Sequence, residues 1–447
     1  MESNNESIPV FSIKTNGFEI VDDTKILGNY IVSDGGFTFS GNLGIELRGS
    51  SSREFNKKPY GFETRDDKNA DLDVSILGLP QEEDWILNPS YIDKSLVRSV
   101  LMYDLSREMG NYASRTRYVD LYLNDDYRGV YILMEKLKRD SERINISKDG
   151  YILKVDRPPR YNNMRLNFTD ENSFQSIYGS NLDGYLSDDV HFLYEYPKPD
   201  EITLQQKDYI SSYILDFEES LASVDMTNDG MRYDSYIDVD NFVDFMILNE
   251  ITNNVDSYRL STFMHKSSSG KLRMGPIWDF DLGFGNTEDC DFELTSGFIS
   301  DTYCTPKILF WFRRFVDDPY FVDKLQSRWS ELRKGVLSEE YVLSKIDSYV
   351  FELGDSIDKN FEKWDILGVY VWPKLIGQTY EEEVNFVKSW ISERMVWMDG
   401  AIAEMDPPPL PTPLPTDEYS GSLSSFTKGS CFVLFSLQFV FLIELIL

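Results

Sequence analysis

NEITNNVDSYRLSTFMHKSSSGKLRMGPIWDFDLGFGN, residues 249–286, decides how this chain is read. Asp256 and the pair Asp279/Asp281 are each tied to apolar, strand-like runs. Between them STFMH, the turn SSSGK and LRMGPIW give a hairpin signal, and a hairpin brings its two ends together. The spacing therefore predicts a compact carboxylate cluster, flanked by Trp278 and Phe280. Hard oxygen ligands in that arrangement suit Mg2+ or Mn2+, and Mg2+ commonly arrives with nucleotide phosphates. Asp is equally at home in turns and helix caps, and a lone D-x-D also holds Mn2+ in nucleotide-sugar transferases. The carboxylates alone leave the reaction open.

Working outward, LRGSSSREFNKKPYGFET, LGLPQEEDWILNPSYIDKSLVRSVLMYDLSREMG and RYVDLYLNDDYRGVYILMEKLKRDSERINI precede this stretch, and IPVFSIKTNGFEIVDD precedes them. Taken in order over residues 8–290, these motifs resemble the CotH family of atypical protein kinases, first known from bacterial spore coats. The resemblance implies an α+β, kinase-like, two-lobed fold with a helical C-terminal extension. ATP and divalent ions (Mg2+ or Mn2+) would bind between the lobes.

Carried over residue by residue, the resemblance assigns roles as follows. Arg48 and the hydroxyls of Ser50, Ser51 and Ser52 would form the phosphate-facing turn. Lys57 or Lys58 would pair with phosphates, and strand alternation favours Lys58. Glu135, Lys136 and Leu137 would flank the adenine at the hinge. Asp256 would orient the acceptor hydroxyl, and Asp279, with Asp281 as second ligand or support, would hold metal. One position departs from the pattern. Family members often carry Asn five residues after the catalytic Asp, where this chain has Ser261, a weaker metal ligand; Asn254 could compensate. A weakened kinase or a pseudokinase is therefore an alternative reading.

Composition excludes several classes. Formal net charge is −32, from 44 basic and 76 acidic residues, so no electrostatic footprint for nucleic acid exists. The two histidines, His191 and His265, lack partners at zinc-ligand or triad spacing. With 41% hydrophobic residues and no linker before residue 405, one large domain over 8–405 is expected, the small lobe at about 8–135 and the large lobe at about 138–405.

The C-terminus carries a second signal. DPPPLPTPLPT opens a Pro/Ser-rich spacer, 406–430, which leads to an apolar run, CFVLFSLQFVFLIELIL, at 431–447. Small residues at Ser420–Ser422, a polar spacer and a terminal apolar tail match a GPI-attachment signal, with a tail anchor as the alternative. MESNNESIPVFSIKT shows no signal-peptide pattern, and GPI attachment needs entry to the secretory route, so the sequence is expected to lack its first segment. A Cys290–Cys304 disulfide would close a loop of about 15 residues, worth about 3 kcal/mol. Asn5, Asn145 and Asn167 begin N-x-S/T sequons.

Strand-like runs alternate up to about residue 135, interrupted by an amphipathic helix at about 94–109 in which Leu96, Val100, Leu101 and Leu105 recur at helical spacing. Arg98, Arg107 and Glu108 lie on that helix, with an ion pair to the phosphate lysine left open. A polar, irregular surface segment is expected at about 156–190. Helices are expected at about 203–223 and 238–251, and helical periodicity runs from about 308 to 404, its aromatics serving as packing.

The expected function is transfer of the ATP γ-phosphoryl group to Ser, Thr or Tyr hydroxyls of secreted or surface proteins. The alternatives are a catalytically weak surface adhesin or ligand for a host or surface receptor, and a sugar transferase that keeps the D-x-D.

Overall fold

The computed structural model describes residues 8–22, 24–158, 160–161, 164–179, 190–302 and 308–410. Met1–Pro411 forms one compact unit; Thr412–Leu447 forms a second, which lies outside the described residues. The tail signal, the Asn5 sequon and Cys304 therefore lie outside them too. Cys290 is disulfide-bonded.

Seven strands, alternating in burial in β1, β2 and β4 and buried on both faces along much of β5–β7, build the first layer: β1 (Val10–Lys14), β2 (Ile26–Asp34), β3 (Phe37–Leu47), β4 (Tyr60–Arg65), β5 (Asp84–Asn88), β6 (Thr116–Leu123) and β7 (Asp126–Glu135). They close into a barrel in the order β1-β2-β3-β4-β5-β7-β6. Six of the pairings are antiparallel; the seventh, β1 with β6, is parallel from Val10↔Asp120 to Ile13↔Leu123. Side chains two apart on a strand share a face, so each strand sends an alternating pair inward, such as Phe11/Ile13, Leu43/Ile45, Trp85/Leu87 and Tyr131/Leu133. Those residues fill the barrel.

The outer face of β5–β7 (Ile86, Tyr118, Val130, Ile132 and Met134) joins a second, larger core. Helix α1 (Arg98–Glu108) packs there. It differs from the expected amphipathic helix: eight of its eleven residues are buried, Arg98, Ser99 and Ser106 among them, because it is enclosed between barrel and helical layer.

A five-stranded antiparallel sheet begins at β8 (Tyr151–Val155). The segment read as irregular holds the short strands β9 (Arg160–Tyr161), β10 (Met164–Arg165) and β11 (Ser173–Gln175), and β12 (His191–Tyr196) follows it. Next come α2 (Leu204–Ala222), capped by a Thr203/Gln206 box, then β13 (Thr227–Asn228), β14 (Met231–Arg232) and α3 (Val239–Glu250), capped by Asp238. The expected hairpin is β15 (Thr262–Lys266) with β16 (Arg273–Met274), register Met264↔Met274. The sheet order is β11-β12-β8-β15-β16.

Five helices complete the unit: α4 (Phe310–Phe315), α5 (Pro319–Leu332), α6 (Glu339–Leu353), α7 (Ser356–Lys363) and α8 (Tyr380–Ala403). Helix α3, buried at every position but Asp240, packs against α5. The mixture of helices and sheets is an α+β fold. None of the described helices is long and apolar enough to cross a membrane.

Candidate active site

Helix α3 ends at Glu250, and the segment after it leads through Asp256 to β15. Buried Glu250 fixes this exit, accepting the N–H groups of Ile299 and Ser300 at 2.7 and 3.1 Å while Arg394 of α8 donates to its main-chain carbonyl. Asn254 then brackets the two acidic segments: its Nδ2 donates to the Asp279 carbonyl at 2.8 Å, and its Oδ1 accepts the Asp256 N–H at 3.3 Å. The amide is thereby engaged at both ends by main chain.

Helix α1 holds the WDFD step from the other side. Ser99 Oγ donates to Asp281 Oδ1 at 2.8 Å and accepts the Phe280 N–H, and Tyr103 Oη accepts the Asp279 N–H at 3.2 Å. Tyr103 also stacks on Trp278, with ring centroids 6.1 Å apart. Asn253, Tyr258, Ser261 and Asp279 all adopt left-handed backbone with φ between 47° and 67°. Such conformations cost energy in non-glycine residues and concentrate where a fold over-determines a functional geometry.

Asp279 acts electrostatically on both Asp256 and Asp281, all three half-buried; among the described residues, the one set of three acids with oxygens within 4.8 Å of one another is Glu82, Glu83 and Asp84. Burial, followed by the charge of Asp279, pushes Asp256 up to about 7. Burial, followed by Asp279 and Asp93, pushes Asp281 up to about 8. Asp279 is raised by burial and by Asp156, against the opposing pull of Lys154, the Ser261 hydroxyl and Arg48. Ser261 Oγ lies 3.4 Å from Asp279 Oδ2. Acids that raise one another mark a shortage of positive charge, and a divalent cation fits a set of carboxylate and hydroxyl oxygens of this kind.

Of the other residues singled out in the sequence, Arg48 is at the cluster: its guanidinium lies over the Trp278 ring, 5.8 Å from the centroid, and feels the Asp279 charge. Ser52 begins a 3-10 turn after Gly49, whose φ of +92° favours glycine and where an added Cβ would collide with the Ser52 hydroxyl unless that side chain moved. Leu137 packs with Ile152, Phe263 and Trp278 in an apolar cluster. Glu135 is buried against Arg115 and Tyr112, and Lys136 pairs with Asp84.

The lysines sit elsewhere. Lys57 is buried against the barrel, donating to the Val130 carbonyl at 2.5 Å and to Asn360 Oδ1 of α7 at 2.9 Å. Lys58 donates to the Arg53 carbonyl at 2.7 Å. Neither is among the principal charges acting on the three acids. The α1 charges pair with Asp93 (Arg98), Asp104 (Arg107) and Lys345 (Glu108), and not with Lys57 or Lys58.

Lys154 and Asp156, which the sequence reading passed over, are the cation and the fourth acid. Burial alone would lower the Lys154 amine, but Asp156 and Glu195 outweigh it and raise it; the amine also lies 5.2 Å from the Phe263 ring centroid. The K-V-D spacing was the available signal, since residues two apart on a strand share a face.

No curated protein matches the sequence. A solved structure, the Helicobacter pylori proinflammatory kinase CtkA, is similar at 8% identity, covering 86% of this chain and 98% of that chain with a TM-score of 0.24. The model of the CotH kinase protein family matches residues 45–398, and the chain belongs to that family.

Proposed function

We propose that this protein is an ATP- and divalent-metal-dependent protein kinase that phosphorylates hydroxyls of secreted or surface proteins. The observation that carries the reading is the electrostatic influence of Asp279 on Asp256 and Asp281, together with the pull of the cations Lys154 and Arg48 on Asp279. Asp279 and Asp281 would hold Mg2+ or Mn2+, with the Ser261 hydroxyl beside them; the ion's part is to neutralise phosphate charge. Lys154 and Arg48 would face the phosphates, and the apolar cluster around Leu137, Ile152 and Phe263 would receive the adenine. Asp256 orients the acceptor hydroxyl and accepts its hydrogen bond, for which its upward shift to about 7 is suited. Catalysis is then positioning and charge neutralisation.

The disulfide at Cys290 supports an oxidising compartment, and Asn145 and Asn167 are exposed, as glycan acceptors must be. Surface attachment through the C-terminal signal belongs to the same proposal.

The test is label transfer from γ-labelled ATP with Mn2+ or Mg2+, using the full chain expressed through a secretory route. Wild type is compared with Asp256→Asn and Asp279→Ala. Transfer by wild type alone supports the reading; full transfer by either variant overturns that residue's role. ATP binding without transfer by wild type would favour a pseudokinase.

A further inference from the structure

A cavity of about 170 Å³ lies between the end of α1, the 143–145 segment, α3 and the β15–β16 edge. Arg48, Lys154, Asp156, Asp256, Asp279 and Asp281 do not line it, yet its Gly275–Ile277 wall runs directly into Trp278 and Asp279. Ile144, Phe245, Leu248 and Ile277 give it an apolar part, beside polar groups that include Arg143 and Arg273.

Most of its polar wall groups are already engaged. Asn111 donates to Asp244, Asn241 Oδ1 accepts the Met274 N–H, Tyr112 Oη donates to Glu135 and Arg143 donates to the Lys136 carbonyl. His265 differs. Its Nδ1 lies 3.0 Å from the Gly275 carbonyl oxygen, which can only accept, so Nδ1 carries the proton. Burial pushes the imidazole down to about 4, so it is neutral near pH 7 and Nε2 is a bare acceptor. Nε2 has no hydrogen-bond partner among the described residues, and neither has the Ser106 hydroxyl on the same wall.

We propose that this cavity is a binding site for a small, neutral, planar molecule with one O–H or N–H donor, seated on His265 Nε2. Its volume matches a single six-membered ring, given that an apolar cavity of about 150 Å³ admits benzene. The donor requirement follows from Nε2, since burying an acceptor unpaired is costly. A ligand there would press on the segment that carries Asp279, from beside the apolar cluster proposed for the adenine, with which the cavity shares Tyr112 and Ile144.

Phenol and its near-isostere without a donor, fluorobenzene, are the probes, titrated into the full chain by ligand-observed NMR. Phenol is expected to bind at least about tenfold more tightly, and His265→Phe to remove the difference. Because the chain has two histidines, 15N-histidine labelling gives a reading that needs no variant. His265 should show the Nδ1–H tautomer, and its Nε2 resonance should shift on adding phenol. Equal affinities, a preference unchanged in His265→Phe, an Nε2–H tautomer, or failure of phenol to bind would each overturn the proposal. None of these readouts depends on phosphotransfer, so the proposed kinase activity stands or falls separately.

Discussion

The hydroxyl of Tyr103 accepts the main-chain N–H of Asp279 at 3.2 Å, tying helix α1 to the residue proposed to hold metal. Tyr103→Phe keeps the ring stack on Trp278 but leaves that N–H unpaired. The expected cost is about 1–3 kcal/mol of stability, measured by urea unfolding, with weaker Mn2+ binding. Unchanged Mn2+ affinity would show that α1 does not position Asp279.

Asp279 also sits at φ +67° within a self-repelling acid cluster. Asn tolerates left-handed backbone and carries no charge, whereas Ala tolerates it poorly. Metal-free Asp279→Asn should therefore melt at or above wild type and Asp279→Ala below it. Calorimetry with and without Mn2+ checks this; neither variant should be stabilised by the ion.

Ser261 has φ +49° and lies beside Asp279. Ser261→Asn suits that backbone and offers an amide carbonyl, a better cation ligand than a hydroxyl. Mn2+ should bind about tenfold more tightly, by calorimetric titration. No gain would mean that Ser261 does not face the ion.

The two kinds of lysine should separate cleanly. Lys57→Ala removes a buried donor shared by Val130 and Asn360, so it should destabilise the fold by about 2–3 kcal/mol. Lys154→Ala should weaken ATP binding while changing stability less. The reverse pattern, read from urea curves and nucleotide titrations, would return the phosphate role to Lys57.

Stability should depend on pH with a defined sign. Asp256 and Asp281 are raised to about 7 and 8 in the folded state, against about 4 in the unfolded chain. The folded protein thus binds more protons over that window. The contribution of these acids to stability falls as pH rises from about 4 to 8. Mn2+ should flatten the fall by favouring the ionised form. Asp281→Asn should make the metal-free slope shallower; an unchanged slope counts against its raised pKa.

Much of the site was legible because its residues are close in sequence. Asp256, Ser261, Asp279 and Asp281 are joined by one hairpin, and local chain connectivity keeps their segments near one another. Arg48 was legible through the family motif. Lys154 and Asp156 were not, because their place depends on β8 pairing with β15 across more than a hundred residues, in the register Phe263↔Lys154. Lys57 and Lys58 illustrate the converse. Alternation tells which side chains share a face, but not which face the fold will cover with α7.

The sequence by itself determined the family, the α+β class, the main helices and the carboxylate motif, since these rest on local periodicity and short spacings. Only the tertiary structure decided that the first layer closes, through the parallel pairing of β1 with β6, and that α1 is buried nearly all round. It also decided which cations act on the acids and that His265 lines a cavity beside the apolar cluster proposed for the adenine. Those outcomes depend on long-range pairing and on which surfaces exclude water, and no single stretch of the chain encodes either.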